Sequence, residues 1–329
     1  MQFREIKEEI LKAEKIGLSF HTSPDGDAIG STLGLLIGLR YLGKDAYVIS
    51  RDVISDNFSY ITFSEEVDGT VCEPKEGTDL VIVLDCGNVE RISADLENYS
   101  GTIINLDHHI SNDNYGTINY VDPKAAATCE LSYLLMKELG IDFSLKTKET
   151  IEISTAIYTG IVTDTGSFRH SNVTKRSHNI AAELIENGID NSSIHSSLFD
   201  NKPFEKVKLM GSVLSNIKLE LDNKVAVLEI PKGMLEEFNL PNADTSDIIS
   251  IGLGIKGVEV SILLKEVDEG VKISLRSKNN VDVRNVAEKF GGGGHVKASG
   301  AMQKGVGLEE AKENLLKALK DEMQIWMEY

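Results

Sequence analysis

TIINLDHH, residues 102–109, is a short apolar run that ends in one acid and two histidines. A run of this length between polar segments is the pattern of a strand buried in a parallel sheet. The arrangement recurs upstream. LVIVL (80–84) runs into Asp85, and GLSF (17–20) runs into His21, with Asp25 and Asp27 just beyond. Asp164 follows a further apolar segment, TAIYTGIV (155–162). In open parallel sheets, sites form outside the carboxyl ends of the strands. Three strands are therefore expected to bring carboxylates and imidazoles to one sheet edge. Acids gathered so closely repel one another strongly unless cations sit among them. The economical reading is a two-metal site of the kind that hydrolyses phosphoesters.

The surrounding pattern supports that sheet. AIGSTLGLLIGLRYLG (28–43) predicts a helix, DAYVIS (45–50) a strand, and AATCELSYLLMKELG (126–140) an amphipathic helix. LKTKETIEISTAIYTGIV (145–162) is a longer helical pattern. Strand–helix alternation implies an α/β fold with a doubly wound parallel sheet. Polar, irregular sequence after Gly188 sets the division: a first domain at 1–188, a linker at 189–203 and a second, smaller α/β domain at 204–329. The second domain is expected to hold a mixed sheet from NIKLELD (216–222), NKVAVLEI (223–230), GVEVSILLKEV (257–267) and GVKISLRS (270–277). Helices follow around VRNVAEKF (283–290) and over 308–327, with GGGGH (291–295) between them. A cleft between the domains is expected to hold the substrate.

Charge narrows the partners. The 329 residues carry a formal net charge of -18, with no basic run. Grip on long nucleic acid depends on neutralising many phosphates, so tracking along a duplex is excluded and a small substrate is favoured. No apolar stretch approaches the ~18–20 residues that span a bilayer. The charged, amphipathic N-terminus is a surface helix, not a signal peptide. Cys72, Cys86 and Cys129 fit neither a disulfide framework nor a zinc cluster, and a reducing cytoplasm suits them. Cys86, beside Asp85, is a small buried filler.

Each candidate site residue has a physical reason. In HTSPDGDAIGS (21–31), Pro24 and Gly26 shape a turn that lets alternate side chains share one site. Asp85 can bridge two cations through its two oxygens. His108 and His109 leave a strand in different directions, so one ligates and the other faces substrate; Asp107 either orients an imidazole or positions the loop. Arg169 and His170 are as consistent with solvated loop residues as with phosphate contacts. His178 and His195 carry no catalytic signal. In FGGGGHVKASG (290–300), consecutive glycines let backbone N–H groups approach a phosphate, and His295 adds a donor. Arg276, leaving the strand KISL with Ser277, can fork a phosphate.

In this order the motifs resemble the DHH phosphoesterase superfamily with a C-terminal DHHA1 domain. HTSPDGDAIGS, LDCGN, LDHH and TDTGSF resemble its successive motifs, and FGGGGHVKASG with the upstream Arg276-Ser277 resembles the DHHA1 signature. The compact length is most similar to the nanoRNase/pAp phosphatase group. The resemblance implies two Mn²⁺ ions, with Mg²⁺ or Co²⁺ able to replace them. One would be held by His21, Asp25 and Asp85, the other by Asp27, Asp85, His108 and Asp164. His109 would face the scissile phosphate, with Asp85 and Asp107 completing the catalytic set. Arg276, Ser277, Gly292, Gly293, Gly294 and His295 would hold the nucleotide. The implied activity is 3′–5′ hydrolysis of very short single-stranded oligoribonucleotides and dephosphorylation of 3′-phosphoadenosine 5′-phosphate (pAp), by a cytoplasmic monomer or homodimer. The alternatives are a pApA phosphodiesterase of cyclic dinucleotide turnover and a non-catalytic nucleotide-binding module. Asn88 stands where relatives often carry aspartate, outside the implied ligand set.

Overall fold

The computed structural model describes residues 2–241 and 243–327, without the side chains of Gln2, His295 and residues 324–327. The chain forms two compact units that part between Asn201 and Lys202.

The first unit contains α1 (Gln2–Lys12), β1 (Lys15–Ser19), α2 (Gly26–Tyr41), β2 (Asp45–Val48), β3 (Leu80–Leu84), β4 (Thr102–Asp107) and β5 (Ile118–Val121). It continues with α3 (Thr128–Glu138), α4 (Lys148–Asp164), α5 (Lys175–Asn187) and α6 (Asn191–Phe199). The five strands run parallel in the order β2-β1-β3-β4-β5. The apolar runs form the expected parallel sheet. β5 had no such signal, because its residues INYV are half-buried throughout. Between β1 and β3 the strand order reverses direction, and at such a switch point a crevice opens outside the carboxyl ends. His21 and Asp85 leave those two ends.

Strand residues divide by alternation. Ile16, Leu18, Ile82, Leu84, Ile104 and Leu106 enter the main core with the helices. Val81 and Val83 join a smaller cluster with Tyr47, Ile49 and Ile92. Each fully buried aliphatic side chain contributes roughly 1.5–3 kcal/mol.

One feature of α2 positions the site directly. Gly26, Gly30, Gly34 and Gly38 fall four residues apart, so they share a helix face. A Cβ at Gly30 would lie 2.4 Å from the Ala156 carbonyl oxygen, and one at Gly26 would lie 2.4 Å from Thr163 Oγ1. The missing side chains let α2 lie closely against α4, with the start of one beside the end of the other. Asp27, in the first turn of α2, and Asp164, the last residue of α4, are thereby delivered to the same place.

The second unit contains α7 (Phe204–Ser215), β6 (Lys218–Glu220), β7 (Val225–Ile230), α8 (Met234–Glu237), α9 (Ser246–Leu253), β8 (Val260–Val267) and β9 (Gly270–Ser277). α10 (Val283–Glu288), β10 (Gly293–His295), β11 (Ala298–Lys304) and α11 (Leu308–Met327) complete it. Its sheet is mixed, ordered β10-β11-β9-β8-β7-β6, with β7 and β8 parallel and the other neighbours antiparallel. One core lies with α10 and α11, and another with α7, α8 and α9.

Two local readings change. The polar stretch 189–203 is not irregular throughout. It carries α6, whose Ile194 is buried in the first unit's core. Within GGGGH, Gly293–His295 form an edge strand, because their backbone pairs with β11.

Candidate active site

Asp85 is the centre of the arrangement. It is 2% exposed and has a left-handed backbone, φ 54°. That conformation is costly for a non-glycine residue and is found where a site demands it. It turns the carboxylate out of the strand so that its two oxygens face different partners. Asp85 Oδ2 lies 3.6 Å from His21 Nε2, and Oδ1 lies 3.6 Å from His108 Nε2.

Around His21, Asp25 Oδ2 is 3.8 Å from Nε2. Around His108, Asp164 Oδ2 is 3.7 Å and Asp27 Oδ2 3.9 Å from Nε2. Three groups of potential ligand atoms, each within 4.8 Å of one another, result: His21, Asp25 and Asp85; Asp27, His108 and Asp164; and Asp85, His108 and His109. The first two share no residue, and the Asp85 oxygens reach both.

The histidines are held in two ways. His21 Nδ1 is 2.9 Å from the Thr22 carbonyl and His108 Nδ1 is 3.2 Å from the Ala125 carbonyl. A backbone acceptor on Nδ1 fixes the ring and presents Nε2, as metal-binding imidazoles require. His109 Nδ1 instead lies 2.7 Å from Asp107 Oδ1. Asp107 is fully buried and also accepts from the His108 backbone N–H at 2.8 Å and Asn112 Nδ2 at 2.5 Å.

Electrostatics identify the tension. Burial, then Asp85, Asp164 and Asp25, push the Asp27 carboxyl well above the ordinary carboxylate value. Burial raises Asp164 to about 7, with Asp85 and Asp25 opposing the help of His108. For His21, burial disfavours charge, but Asp25 and Asp85 outweigh it and push the ring to about 10. Burial would raise Asp107 too, yet the His109 and Asn112 hydrogen bonds hold it below the usual range. A dense set of acids, partly satisfied by protons and imidazolium ions, has the donor chemistry that divalent cations replace.

Sequence reasoning missed the groups that hold these ligands. The Thr128 and Cys129 backbone N–H groups, at the start of α3, donate to Asp27 at 2.6 and 2.8 Å. The Thr128 hydroxyl donates to Asp85 Oδ1 at 3.0 Å. Asn172 donates to the Asp164 carboxylate at 3.4 Å and to the Ala126 carbonyl at 2.9 Å. For Asn112, the polar run 111–114 is the one signal that could have found it. Asp25 serves two purposes, since its Oδ1 also caps α2 through the Asp27 and Ala28 N–H groups.

Other candidates are placed elsewhere. Arg169 and His170 are exposed; Arg169 bonds the Gly166 carbonyl, and His170 Nδ1 lies 3.3 Å from that of Asp164. His178 stacks on Phe168 and His195 packs against Tyr158 and Phe199. Cys86 is buried, which pushes its thiol up to about 11 and suits a filler.

In the second unit, His295 pairs with Ala298, and Ala298 with Arg276, so the three occupy one row across the sheet. The His295 side chain lies outside the described residues. Arg276 lines a pocket with Lys265, Lys272 and Ser274. Ser277 does not join it. Strand alternation sends it to the other face, where it is buried and its hydroxyl donates to the Val281 carbonyl at 2.7 Å. Gly292 and Gly294 have a packing reason: a Cβ would lie 2.1 Å from the Gly300 carbonyl oxygen and 2.6 Å from that of Ala298. A Cβ at Gly293 would meet open space.

A parallel sheet that gathers three imidazoles and four carboxylates at its switch point, beside a mixed-sheet second unit, defines an α/β protein with a candidate metal centre. Residues 15–161 match the DHH family, N-terminal domain, and residues 222–324 match the DHHA1 domain. The chain is 36% identical to a bifunctional oligoribonuclease and PAP phosphatase NrnA from Thermus thermophilus, over 96% of this chain and 93% of the other. It is 33% identical to the protein of the same name from Bacillus subtilis, over 88% and 89%. A solved structure of an exopolyphosphatase-related protein from Bacteroides fragilis matches with a TM-score of 0.89 at 30% identity, covering 97% of this chain and 96% of that one. The chain belongs to the DHH phosphoesterase family, with a DHHA1 second domain.

Proposed function

We propose that this chain is a manganese-dependent 3′–5′ exoribonuclease of very short oligoribonucleotides that also removes phosphate from pAp. The observation that carries the reading is the Asp85 carboxylate, with one oxygen toward His21 and the other toward His108. The names of the relatives from Thermus thermophilus and Bacillus subtilis support the substrate class.

His21, Asp25 and Asp85 would hold one Mn²⁺, and Asp27, Asp85, His108 and Asp164 the other. Mixed imidazole and carboxylate ligation suits manganese better than magnesium. When bound, such ions supply Lewis acidity, activating water and balancing charge that develops at phosphorus. The chain's own residues do the rest. Asp107 orients His109 and favours its protonated form, so the ring acts on the reacting phosphate through Nε2. Thr128 and the α3 amides keep Asp85 and Asp27 in place. Arg276 grips a nucleotide phosphate. The domain assignment follows: catalysis in residues 1–188, nucleotide binding in 204–329. Among the described residues no helix is long and apolar enough to cross a membrane, and we place the enzyme in the cytoplasm.

The test is a length series of labelled oligoribonucleotides with Mn²⁺, read product by product, beside phosphate release from pAp and from polyphosphate. Mononucleotides from the shortest chains, with release from pAp, are expected. Release from polyphosphate alone would overturn the nucleotide reading.

A further inference from the structure

One short stretch of chain supports Asp27, Asp85, His108 and Asp164 together. It is the link that follows β5, from Asp122 on, and the first turn of α3, which Thr128 opens. The Ala125 carbonyl lies 3.2 Å from His108 Nδ1. The Thr128 and Cys129 N–H groups donate to Asp27 at 2.6 and 2.8 Å. The Thr128 hydroxyl donates at 3.0 Å to Asp85 Oδ1, the oxygen that faces His108. Asn172 ties the Ala126 carbonyl to the Asp164 carboxylate. The set assigned to one cation therefore leans on this stretch. His21 and Asp25 do not. His21 rests on the adjacent Thr22 carbonyl, and Asp25 accepts from the Asp27 and Ala28 N–H groups.

Arg176, in the first turn of α5, closes the stretch at both ends. Its Nη1 donates to Asp122 Oδ2 at 2.9 Å and its Nε to Glu130 Oε2 at 2.6 Å. Asp122 in turn shapes the link, accepting the Lys124 N–H on Oδ1 at 3.0 Å and the Ala125 N–H on its carbonyl at 2.9 Å. Glu130 is fully buried, and among the described residues Arg176 is the cation paired with it. A buried ion pair adds little stability over a well-packed apolar pair. A cation in the first turn of α5 also opposes the helix dipole. What the guanidinium supplies is direction, since its rigid plane holds two carboxylates in a fixed relation.

We propose that Arg176 is a positioning residue for one of the two cations, the one assigned to Asp27, Asp85, His108 and Asp164. It acts through the stretch it closes, which presents the Ala125 carbonyl to His108 and the Thr128 and Cys129 donors to Asp85 and Asp27. Outer supports of this kind set the orientation of ligands and hence metal affinity. That role rests on the two-cation reading above; the clamp itself is a feature of the chain alone.

Mn²⁺ calorimetry and electron paramagnetic resonance on the full chain test it. Loss of Arg176 alone strands the buried Glu130 carboxylate and endangers folding. The pair is therefore replaced together, Arg176→Met with Glu130→Met, which keeps the volume and removes the clamp. Asp122→Asn loosens one end only. In both variants one ion should bind as in wild type and the other about 10–100-fold more weakly, the usual cost of losing an outer support. At intermediate Mn²⁺ the broad spectrum of a coupled ion pair should give way to the hyperfine-split signal of an isolated ion. Turnover of pAp should return at saturating Mn²⁺, which a folding defect would not allow. Arg4→Ala, which removes an exposed partner of Glu8, should change none of these. Two ions bound with wild-type affinity in the methionine pair, or both weakened alike, overturns the role of Arg176 and leaves the metal reading standing. Wild type that binds no Mn²⁺ sinks the metal reading, and the role of Arg176 with it.

Discussion

His109 Nδ1 lies 2.7 Å from Asp107 Oδ1, while His108 Nδ1 rests on the Ala125 backbone carbonyl. Two adjacent histidines are thus held by different partners at their Nδ1 atoms, and we propose that their tasks differ accordingly. His108→Ala should lose bound Mn²⁺, whereas His109→Ala should keep it and lose roughly 10²–10⁴ in kcat. Asp107→Asn should follow His109→Ala in direction and shift the pH profile of kcat. Elemental analysis beside steady-state kinetics decides the matter, and equal metal loss in both histidine variants contradicts it.

Metal binding should release protons. The Asp164 carboxyl sits at about 7 and His21 at about 10 in the chain alone, so both hold protons at neutral pH that a cation must displace. A raised carboxyl is protonated below its pKa, and a raised imidazole stays protonated up to its pKa. Both effects weaken metal binding as pH falls. Mn²⁺ affinity should therefore rise between pH 6 and 8, by about tenfold per unit for each proton released. Calorimetry in buffers of different ionisation enthalpy reads the proton count. Flat affinity without proton release contradicts the ligand set.

Gly160→Ala should damage both stability and metal binding. Its Cβ would lie 2.2 Å from Cys129 Sγ and 3.0 Å from the Asp27 Cα. Overpacking of this kind costs about 1–3 kcal/mol, and here the residue pushed aside is Cys129, whose backbone N–H holds the proposed ligand Asp27. Urea unfolding and Mn²⁺ titration should move together; an unchanged midpoint shows that the helices separate freely.

Arg276→Ala should raise KM for pAp and leave Mn²⁺ content intact. Bis-p-nitrophenyl phosphate, which needs no nucleotide contact, should be hydrolysed at the wild-type rate. Ser277→Ala should instead lower stability by ~1 kcal/mol and spare KM, because its hydroxyl serves the Val281 carbonyl. Reversed effects for the two residues would require a different nucleotide face.

The chemistry was legible where it followed apolar runs. LVIVL, GLSF and TIINL mark strands, and their following residues meet because parallel strands end together. Asp164 was legible as a candidate at the end of a helical pattern, but its meeting with Asp27 was not, since that depends on the glycine face of α2 against α4. Thr128 and Asn172 were not legible. Thr128 serves Asp27 and Asp85, and Asn172 ties Asp164 to the Ala126 carbonyl, and no local pattern records such contacts. Ser277 beside Arg276 shows the converse: adjacent positions on a strand face opposite ways, so a two-residue motif contributes one residue to each side.

The central claim is that Asp85 joins two cations into one hydrolytic centre. Turnover of pAp and a dinucleotide by Asp85→Ala, with Mn²⁺ bound per chain counted on the same samples, tests it most directly. The expected result is two ions in wild type, fewer in the variant, and turnover below about a tenth of wild type, a barrier increase above ~1.4 kcal/mol. A variant that keeps its metal and more than that tenth of its activity on both substrates contradicts the claim.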